Sequence, residues 1–383
     1  MRWALAVVAA AIMLIVFVDA FEAVILPRRV KHNYRLARLF YQSGWLVWRA
    51  LSRLLPTGRW RFGFLSVFGP LSLFGLLCVW AVGLITAFAL LHWSFQTALA
   101  LPGDGDNSFG TYFYFSGTTF FTLGYGDIVP TRAWGRALSV AESGIGFGFL
   151  AIVISYLPVL YQTFSRREIS ISLLDARAGS PPTAGELLRR LAEARNLAAM
   201  GPFLVEWERW SAELLESQLS FPVVSYYRSQ HDNQSWVGAL TMILDTSALL
   251  IAAIDSAYGH QARLTFAMAR HAAVDLGLVF RIQSLPPRAV RLTPDDFDRL
   301  RATLTQAGLK LTEGPAAYEA LTQLRGLYEP FTSSLAAYFS FALPPFQPAT
   351  PPIDNWQTSP SMPCSPTLNS LPGRATASYD DVH

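Results

Sequence analysis

The chain has 383 residues, of which 52% are hydrophobic and 15% charged, and its mean hydropathy is +0.29. This composition excludes an ordinary soluble protein of that length and predicts apolar runs of about 20 residues, enough to cross a bilayer. Cys78 lies in an apolar run and Cys364 in a proline-rich stretch, so they imply neither a disulfide framework nor a metal cluster. The net charge of +3 matters less than its distribution, because the basic residues are concentrated in one segment.

The first apolar run extends from Trp3 to about Leu26 and predicts a retained transmembrane helix, assigned to residues 1–27. The following Pro27–Arg61 contains nine basic and no acidic residues, which marks it as cytoplasmic by the positive-inside rule. The N-terminus is then expected outside. Between Tyr34 and Leu55, leucines and aromatic residues recur at helical spacing among arginines. Residues 28–65 are therefore interpreted as an interfacial helix in the headgroup plane or as a basic solvated loop.

A second span is expected over about Ser66–Trp93, running from inside to outside. Acidic residues then outnumber the single Arg132, and the turn-rich segment Leu101–Ser108 with Asp104 and Asp106 predicts an exposed outer turret. The next segment, Phe109–Phe121, is rich in aromatic residues and threonines but is too short to cross a membrane. It suits a re-entrant pore helix, because non-helical backbone at membrane depth must be buried in protein or line water.

The stretch Thr118–Pro130 contains the sequence Thr122-Leu123-Gly124-Tyr125-Gly126-Asp127. Two glycines spaced two residues apart let successive backbone carbonyls point the same way without a Cβ clash. A third span is expected over about Ala133–Tyr161.

At these residues the chain resembles the potassium channel family, in which four such loops present carbonyl oxygens that replace the hydration shell of potassium. The resemblance continues through Pro130, Trp134-Gly135-Arg136 and an apolar helix with Gly146. It implies that residues 66–162 form a pore domain and that one loop per chain makes a homotetramer.

The resemblance also assigns roles to the residues of the loop. It implies potassium binding by the carbonyls of the filter residues and by the Thr122 hydroxyl, with the Tyr125 ring wedging the loop against the pore helix. The filter residues are Thr122, Leu123, Gly124, Tyr125 and Gly126.

Filter support is implied for the residues around Asp127, which the family holds behind the filter with aromatic donors. The matching aromatic pair is Tyr114 and Phe115, and Thr118 stands where some members carry a glutamate. Leu123 replaces the commoner valine. These two departures bear on the stiffness of the loop and leave the carbonyl geometry alone.

In the third span, Gly146 falls on the hinge glycine of the family's inner helix, whereas Gly144 and Gly148 suit close helix packing. Glu142 is an ionisable residue inside a span and thus a functional candidate, expected to hydrogen-bond a pore-helix threonine. The resemblance implies that the gate and pore lining include Gly146, Phe147, Leu150, Ile154 and Pro158.

The remainder is expected to be cytoplasmic, with a linker at 163–183, an all-helical domain at 184–342 and a disordered proline-rich tail at 343–383. Helices are predicted at Ala184–Met200, Pro202–Leu219, Pro222–Gln230, Trp236–Asp255, Gln261–Gln283, Pro294–Gln306 with Thr293 as N-cap, and Pro315–Phe341.

Trp236–Asp255 is apolar enough for a fourth span, but its central Asp245 favours the core of a soluble domain. The polar cluster from Arg228 to Ser235, with His260 and His271 at a distance, is either a ligand site or an inter-helix turn.

The sequence therefore predicts an all-helical membrane protein with three spans and one pore loop. We expect a potassium-selective channel of the plasma membrane, gated by its inner helix and modulated by the helical domain through an unidentified ligand. A weakly selective monovalent cation channel and a subunit of a potassium uptake system are the alternatives. The sequence contains no set of nucleophile, base or metal ligands that would indicate an enzyme. The expected partners are the lipid bilayer and the permeant potassium ion, and neither a cofactor nor a nucleic acid is expected.

Overall fold

The computed structural model describes residues 2–24, 36–101, 107–229, 233–255, 257–284, 286, 290–312 and 314–348. The turret residues Asp104 and Asp106, the start of the basic segment and the tail beyond 348 lie outside the described residues. The chain divides into two units. The membrane unit comprises Met1–Ser165 and Ser217–Arg228, and the helical unit comprises Arg166–Glu216 and Ser229–His383.

Five helices account for most of the first 178 residues: α1 (Arg2–Val24), α2 (Leu36–Ser52), α3 (Arg59–Ser94), α4 (Phe109–Phe120) and α5 (Ala133–Ala178). Three of them, α1, α3 and α5, are long and apolar enough to cross a membrane, which confirms the three predicted spans. The short helix α4 lies at the predicted pore helix. Helix α3 starts at Arg59, before the predicted start of the second span near Ser66.

Helix α5 continues well beyond the predicted end of the third span near Tyr161, because Pro158 is accommodated inside α5 without ending it. Beyond Pro158, residues Arg167, Ile171, Leu174 and Ala178 recur at helical spacing and are buried. The helix ends only before Gly179, whose φ of +81° is the left-handed conformation that glycine adopts most readily after a helix. Most of the predicted linker 163–183 is therefore helix.

The basic segment contains a helix, α2, so the solvated-loop interpretation is wrong for residues 36–52. Its start is held by Asp19, a buried acid of α1. Both Asp19 carboxylate oxygens accept the Ala37 N–H at 3.1 Å, and Oδ2 also accepts Trp80 Nε1 of α3 at 2.9 Å. One carboxylate thus joins three helices at an N-terminus, where a negative charge is stabilised.

Residues 217–228, which we call the return segment, pack inside the membrane unit although they follow the helix α7 (Met200–Ser220). The Tyr226 ring lies 6.1, 5.5 and 5.2 Å from the rings of Tyr41, Trp45 and Phe68, measured between centroids. Tyr227 covers Gly69, where an added Cβ would come within 2.7 Å of the ring. The expected domain 184–342 is therefore not one continuous unit.

The return segment also contacts the C-terminal half of α5. The Phe221 and Tyr156 ring centroids are 5.8 Å apart, and those of Tyr227 and Phe164 are 5.5 Å apart. Its own backbone forms a short 3-10 turn, Pro222–Tyr226, in place of the predicted helix Pro222–Gln230.

The helical unit contains α6 (Ala184–Glu193), α8 (Trp236–Ala252), α9 (Gly259–Val279), α10 (Pro294–Gln306), α11 (Pro315–Gly326) and α12 (Glu329–Phe339), with most of α7. Helix α6 ends at Glu193, before the expected Met200. Helix α10 has the predicted bounds, and Thr293 forms a capping box with Asp296. The Thr293 hydroxyl and N–H lower the pKa of Asp296 by hydrogen bonding to its charged form.

The predicted helix Pro315–Phe341 is two helices, α11 and α12, which are separated at Leu327 and Tyr328. Pro330 lies in the first turn of α12, where its missing N–H is tolerated, whereas in the middle of a long helix it would remove a hydrogen bond. This explains why the apolar periodicity alone predicted one helix too long.

Helix α8 is the core of the helical unit, since all its residues from Trp236 to Leu250 are buried. It has 17 residues and is not among the candidate spans. Its Asp245 is fully buried and bonded to Arg291, whose Nη1 and Nη2 lie 3.2 and 2.6 Å from the two carboxylate oxygens. Tyr328 donates a further hydrogen bond to Asp245. The core interpretation of this apolar helix is therefore supported.

The same buried network extends to a second ion pair. Arg291 Nη1 lies 3.1 Å from Glu329 Oε1, and Arg325 binds the same carboxylate at 3.0 and 3.2 Å. Two arginines thus face two carboxylates, which balances the buried charge. Burying such charges has a free-energy penalty from desolvation, and removing one partner has a larger one because it leaves an unpaired buried charge.

Residues 343–348 are packed on this network and are not part of a disordered tail. Arg291 Nη2 donates to the Pro344 carbonyl at 2.6 Å, and the Gly185 N–H donates to the Phe346 carbonyl at 2.8 Å. The Phe346 side chain is buried beneath the Arg291 and Arg325 guanidinium groups, at 5.1 and 5.4 Å from the ring centroid. The expected boundary at Leu343 is therefore wrong for these residues.

Replacing Arg291 with methionine should destabilise the helical unit by about 3–5 kcal/mol, because Asp245 would be left as an uncompensated buried charge. Arg299→Met is the matched control, since that arginine is mostly exposed and pairs with Asp296 at the surface; it should cost less than about 1 kcal/mol. The measurement is thermal unfolding of the full chain in detergent. Equal midpoints for the two variants would contradict a stabilising role for the network.

Candidate ion pathway

The loop after α4 has left-handed backbone at every second residue. The φ angles are +55° at Thr122, +61° at Gly124 and +76° at Gly126. Glycine adopts this conformation without strain, whereas Thr122 must be held in it by its surroundings. A backbone that alternates in this way turns successive carbonyl groups toward one side, which is the arrangement that coordinates a cation.

The beginning of the loop is fastened to the end of the pore helix. Phe121, Thr122 and Leu123 donate their N–H groups to the carbonyls of Gly117, Thr119 and Thr118 at 3.1, 3.0 and 2.8 Å. These bonds satisfy carbonyls that a helix C-terminus otherwise leaves without partners. The N–H groups at the loop entrance are thus used by α4, and the carbonyls of the next residues are left for other ligands.

The end of the loop is held by Asp127. The Tyr114 hydroxyl of α4 donates to Asp127 Oδ2 at 2.9 Å, and Oδ1 accepts the Ile128 N–H at 3.0 Å. Phe115, the other expected support residue, is buried with its ring edge-on to His92. The Thr118 hydroxyl donates to the Phe115 carbonyl at 2.9 Å.

Past Asp127 the chain pairs with the segment that follows α3. Strand β1 (Leu99–Ala100) is antiparallel to β2 (Val129–Pro130), with Leu99 opposite Pro130. The Thr131 N–H extends the pairing by donating to the Ala98 carbonyl at 2.9 Å. This two-stranded rim, β1 with β2, was not predictable from the sequence, because two-residue strands carry no periodic signal.

Gly146 of α5 packs closely against the end of α4. A Cβ added there would lie 1.9 Å from the carbonyl oxygen of Phe120, the last residue of α4. Cβ atoms added at Gly144 and Gly148 would meet nothing within 4 Å. Within the single chain the close packing is therefore at Gly146 and not at Gly144 or Gly148, and α5 is continuous helix through all three.

Phe147, Leu150 and Ile154 share one face of α5 and are 67%, 53% and 64% exposed on the single chain. Pro158 is exposed four positions further along the same helix. The Tyr125 ring is also exposed on the single chain, at 67%. These side chains are available to line a conduit or to contact other copies of the chain.

Contrary to the expectation from sequence, Glu142 does not hydrogen-bond a pore-helix threonine. Its Oε2 lies 3.5 Å from His92 Nε2 of α3, and both side chains are fully buried. The nearby pore-helix hydroxyl is that of Ser116. Thr118 instead directs its hydroxyl to its own helix backbone.

The described side chains at both ends of the polar stretch from Arg228 to Ser235 make local contacts. Ser235 Oγ accepts the Gly238 N–H at 3.0 Å and caps α8, and the Arg228 guanidinium lies 5.3 Å from the Phe62 ring centroid. Residues 230–232 lie outside the described chain. Within the part of the chain that the structure covers, no group of His, Cys, Asp and Glu could hold a metal ion.

Comparison with known proteins places an ion-channel domain at this site. Residues 75–162 match the model of a protein family described as "Ion channel", which is not an enzyme family. An uncharacterized membrane protein of Bacillus subtilis (strain 168), YdjJ, is 24% identical over 181 residues, covering 47% of this chain and 52% of that protein. The chain thus spans about half the length of this relative. No solved structure matches the chain.

The matched region runs from within α3 to within α5 and includes α4, the loop and the rim. The chain thus combines three helices long and apolar enough to cross a membrane, a region at residues 75–162 that matches an ion-channel family, and a helical C-terminal region.

Gly146→Ala should abolish ion flux, because the added Cβ would displace the end of α4, from which the loop begins. Overpacking of this kind costs about 1–3 kcal/mol or more per chain. Gly144→Ala and Gly148→Ala are the controls and should conduct normally, since both positions are open. Flux is measured in liposomes with size-exclusion chromatography of each variant. Normal flux in Gly146→Ala would show that the close contact does not position the loop.

Proposed function

We propose that the protein is a potassium-selective channel whose filter is the loop Thr122–Gly126. The observation that carries the proposal is the left-handed backbone at Thr122, Gly124 and Gly126, inside the region that matches an ion-channel family. In this arrangement the carbonyls of Thr122, Leu123, Gly124 and Tyr125 bind K+ in successive sites, and the Thr122 hydroxyl adds the innermost oxygen.

Conduction needs binding that offsets dehydration of the ion but is weak enough for the ion to leave. Several similar carbonyl sites in a row meet both needs, because neighbouring ions repel each other along the row. The role of Asp127 and Tyr114 is to fix the outer end of the loop, so that the oxygens keep a spacing suited to K+ rather than to the smaller Na+.

One loop cannot surround an ion, so the proposed channel is a homotetramer around a water-filled axis. The exposed side chains of Phe147, Leu150 and Ile154 then face the pore, and the Tyr125 ring packs against neighbouring chains. This assembly also gives the non-helical loop the protein and water surroundings that such backbone requires at membrane depth.

The proposed channel lies in the plasma membrane with its N-terminus outside and its helical unit in the cytoplasm. The orientation rests on the nine basic residues of Pro27–Arg61, which favour the cytoplasmic side. The inner helix α5 carries the gate, and because it continues into the helical unit, a ligand of that unit can shift the gate if it binds the open and closed forms with different affinity.

Gly126→Ala should abolish potassium-selective flux, since Gly126 has a φ of +76° and a left-handed alanine costs about 1–2 kcal/mol in each chain. Gly117→Ala is the matched control, because it lies in the pore helix with no atom within 4 Å of an added Cβ. Rubidium and sodium uptake into liposomes are compared for both variants.

Three outcomes separate the alternatives. Selective rubidium uptake in the parent protein and in Gly117→Ala, lost in Gly126→Ala, supports the proposal. Equal uptake of rubidium and sodium by the parent protein indicates a weakly selective cation channel. No uptake without a second protein contradicts a self-sufficient channel and favours a subunit of a transport system.

A further inference from the structure

The membrane unit contains a buried polar cluster that the proposed filter does not use. It consists of His92 at the end of α3, Ser116 in the middle of α4 and Glu142 in α5, and each residue is fully buried. The three side chains come from the outer helix, the pore helix and the inner helix. We call them the three-helix cluster.

Four polar atoms of this cluster have no hydrogen-bond partner within the described residues. They are His92 Nε2, Ser116 Oγ and both carboxylate oxygens of Glu142. A buried polar group without a partner costs about 1–3 kcal/mol, so four at one place need an explanation. His92 Nε2 lies 3.5 Å from Glu142 Oε2, which is long for a hydrogen bond.

The other side of the histidine ring is fixed. His92 Nδ1 lies 3.0 Å from Thr97 Oγ1, and the ring stands edge-on to Phe115 with the centroids 5.2 Å apart. Thr97 in turn accepts a hydrogen bond from the Tyr112 hydroxyl of α4 on its carbonyl, at 3.0 Å. The ring therefore cannot turn toward Glu142 without breaking its contact with Thr97.

We propose that a single water molecule is bound within the three-helix cluster and bridges His92 Nε2, Ser116 Oγ and the Glu142 carboxyl. Buried waters typically make about three hydrogen bonds to otherwise unsatisfied polar groups, which is what this cluster offers. The bridge links the pore helix to both helices that flank it. His92, Ser116 and Glu142 are thereby positioning residues for the filter, and this part of the inference rests on the proposed function.

The bridge is placed to control how the pore helix sits. Gly146, one turn along α5 from Glu142, already meets the end of α4 at Phe120, and the cluster adds a second attachment at Ser116, four residues earlier. Two attachments on one helix fix its rotation as well as its position. The filter begins directly after α4, so rotation of α4 would move the carbonyls of the loop.

The test compares Glu142→Gln, which keeps a polar partner for water, with Glu142→Met, which removes it at similar size. We expect Glu142→Gln to keep the parent rubidium-to-sodium uptake ratio and Glu142→Met and Ser116→Ala to lower it about 10-fold, the effect of losing one buried hydrogen bond of this kind. Ser139→Ala is the control, because that hydroxyl of α5 bonds only its own helix, to the Gly135 carbonyl at 2.9 Å. Size-exclusion chromatography verifies that each variant assembles.

A second measurement does not depend on conduction. A high-resolution electron cryo-microscopy map of the parent protein should show a density peak within hydrogen-bonding distance of His92, Ser116 and Glu142, and a map of Ser116→Ala should lose it. A direct bond between His92 and Glu142 with no peak overturns the water site. Unchanged selectivity in Glu142→Met, or a loss in Glu142→Gln equal to that in Glu142→Met, overturns the positioning role. If the parent protein is not selective but the peak is present, the proposed function fails and the water site stands.

Discussion

The organisation of the membrane unit depends on one constraint, which is that a stretch of non-helical backbone lies among membrane helices. Such backbone cannot satisfy its polar groups by itself and is excluded from contact with lipid. Residues 121–131 meet this constraint at both ends. At the entrance, their N–H groups are taken by the last carbonyls of α4, and at the exit Thr131 pairs with Ala98 beside the two-stranded rim. The carbonyls between these two ends are those to which the proposed function assigns the ion.

The parts of this arrangement that could be predicted from sequence are those with local signals. The length of the apolar runs predicted the three candidate spans, and the short aromatic segment predicted helix α4. Gly124 and Gly126 indicated where the backbone is left-handed. Thr293 followed by Pro294 similarly marked the start of α10, because a cap acts through its nearest neighbours.

The contacts between distant residues could not be predicted in this way. Asp19 is an acid within an apolar run of the sequence, yet it holds the start of α2, eighteen positions away in the chain. Gly146 differs from Gly144 and Gly148 only in what it faces, and a single sequence does not reveal that it faces the Phe120 carbonyl. Phe346 was assigned to a disordered tail because prolines surround it, but its ring is buried beneath two arginines whose charges are balanced elsewhere.

The return segment has a consequence for how the protein is made. The Tyr226 ring packs against the rings of Tyr41, Trp45 and Phe68, and all three of these residues leave the ribosome long before residue 226 does. Between the two events the ribosome must synthesise residues 166–216, which belong to the other unit. Domains generally fold as they are synthesised, beginning from the N-terminus. The contacts of Tyr226 that complete the membrane unit can therefore form only after the first part of the helical unit has been synthesised.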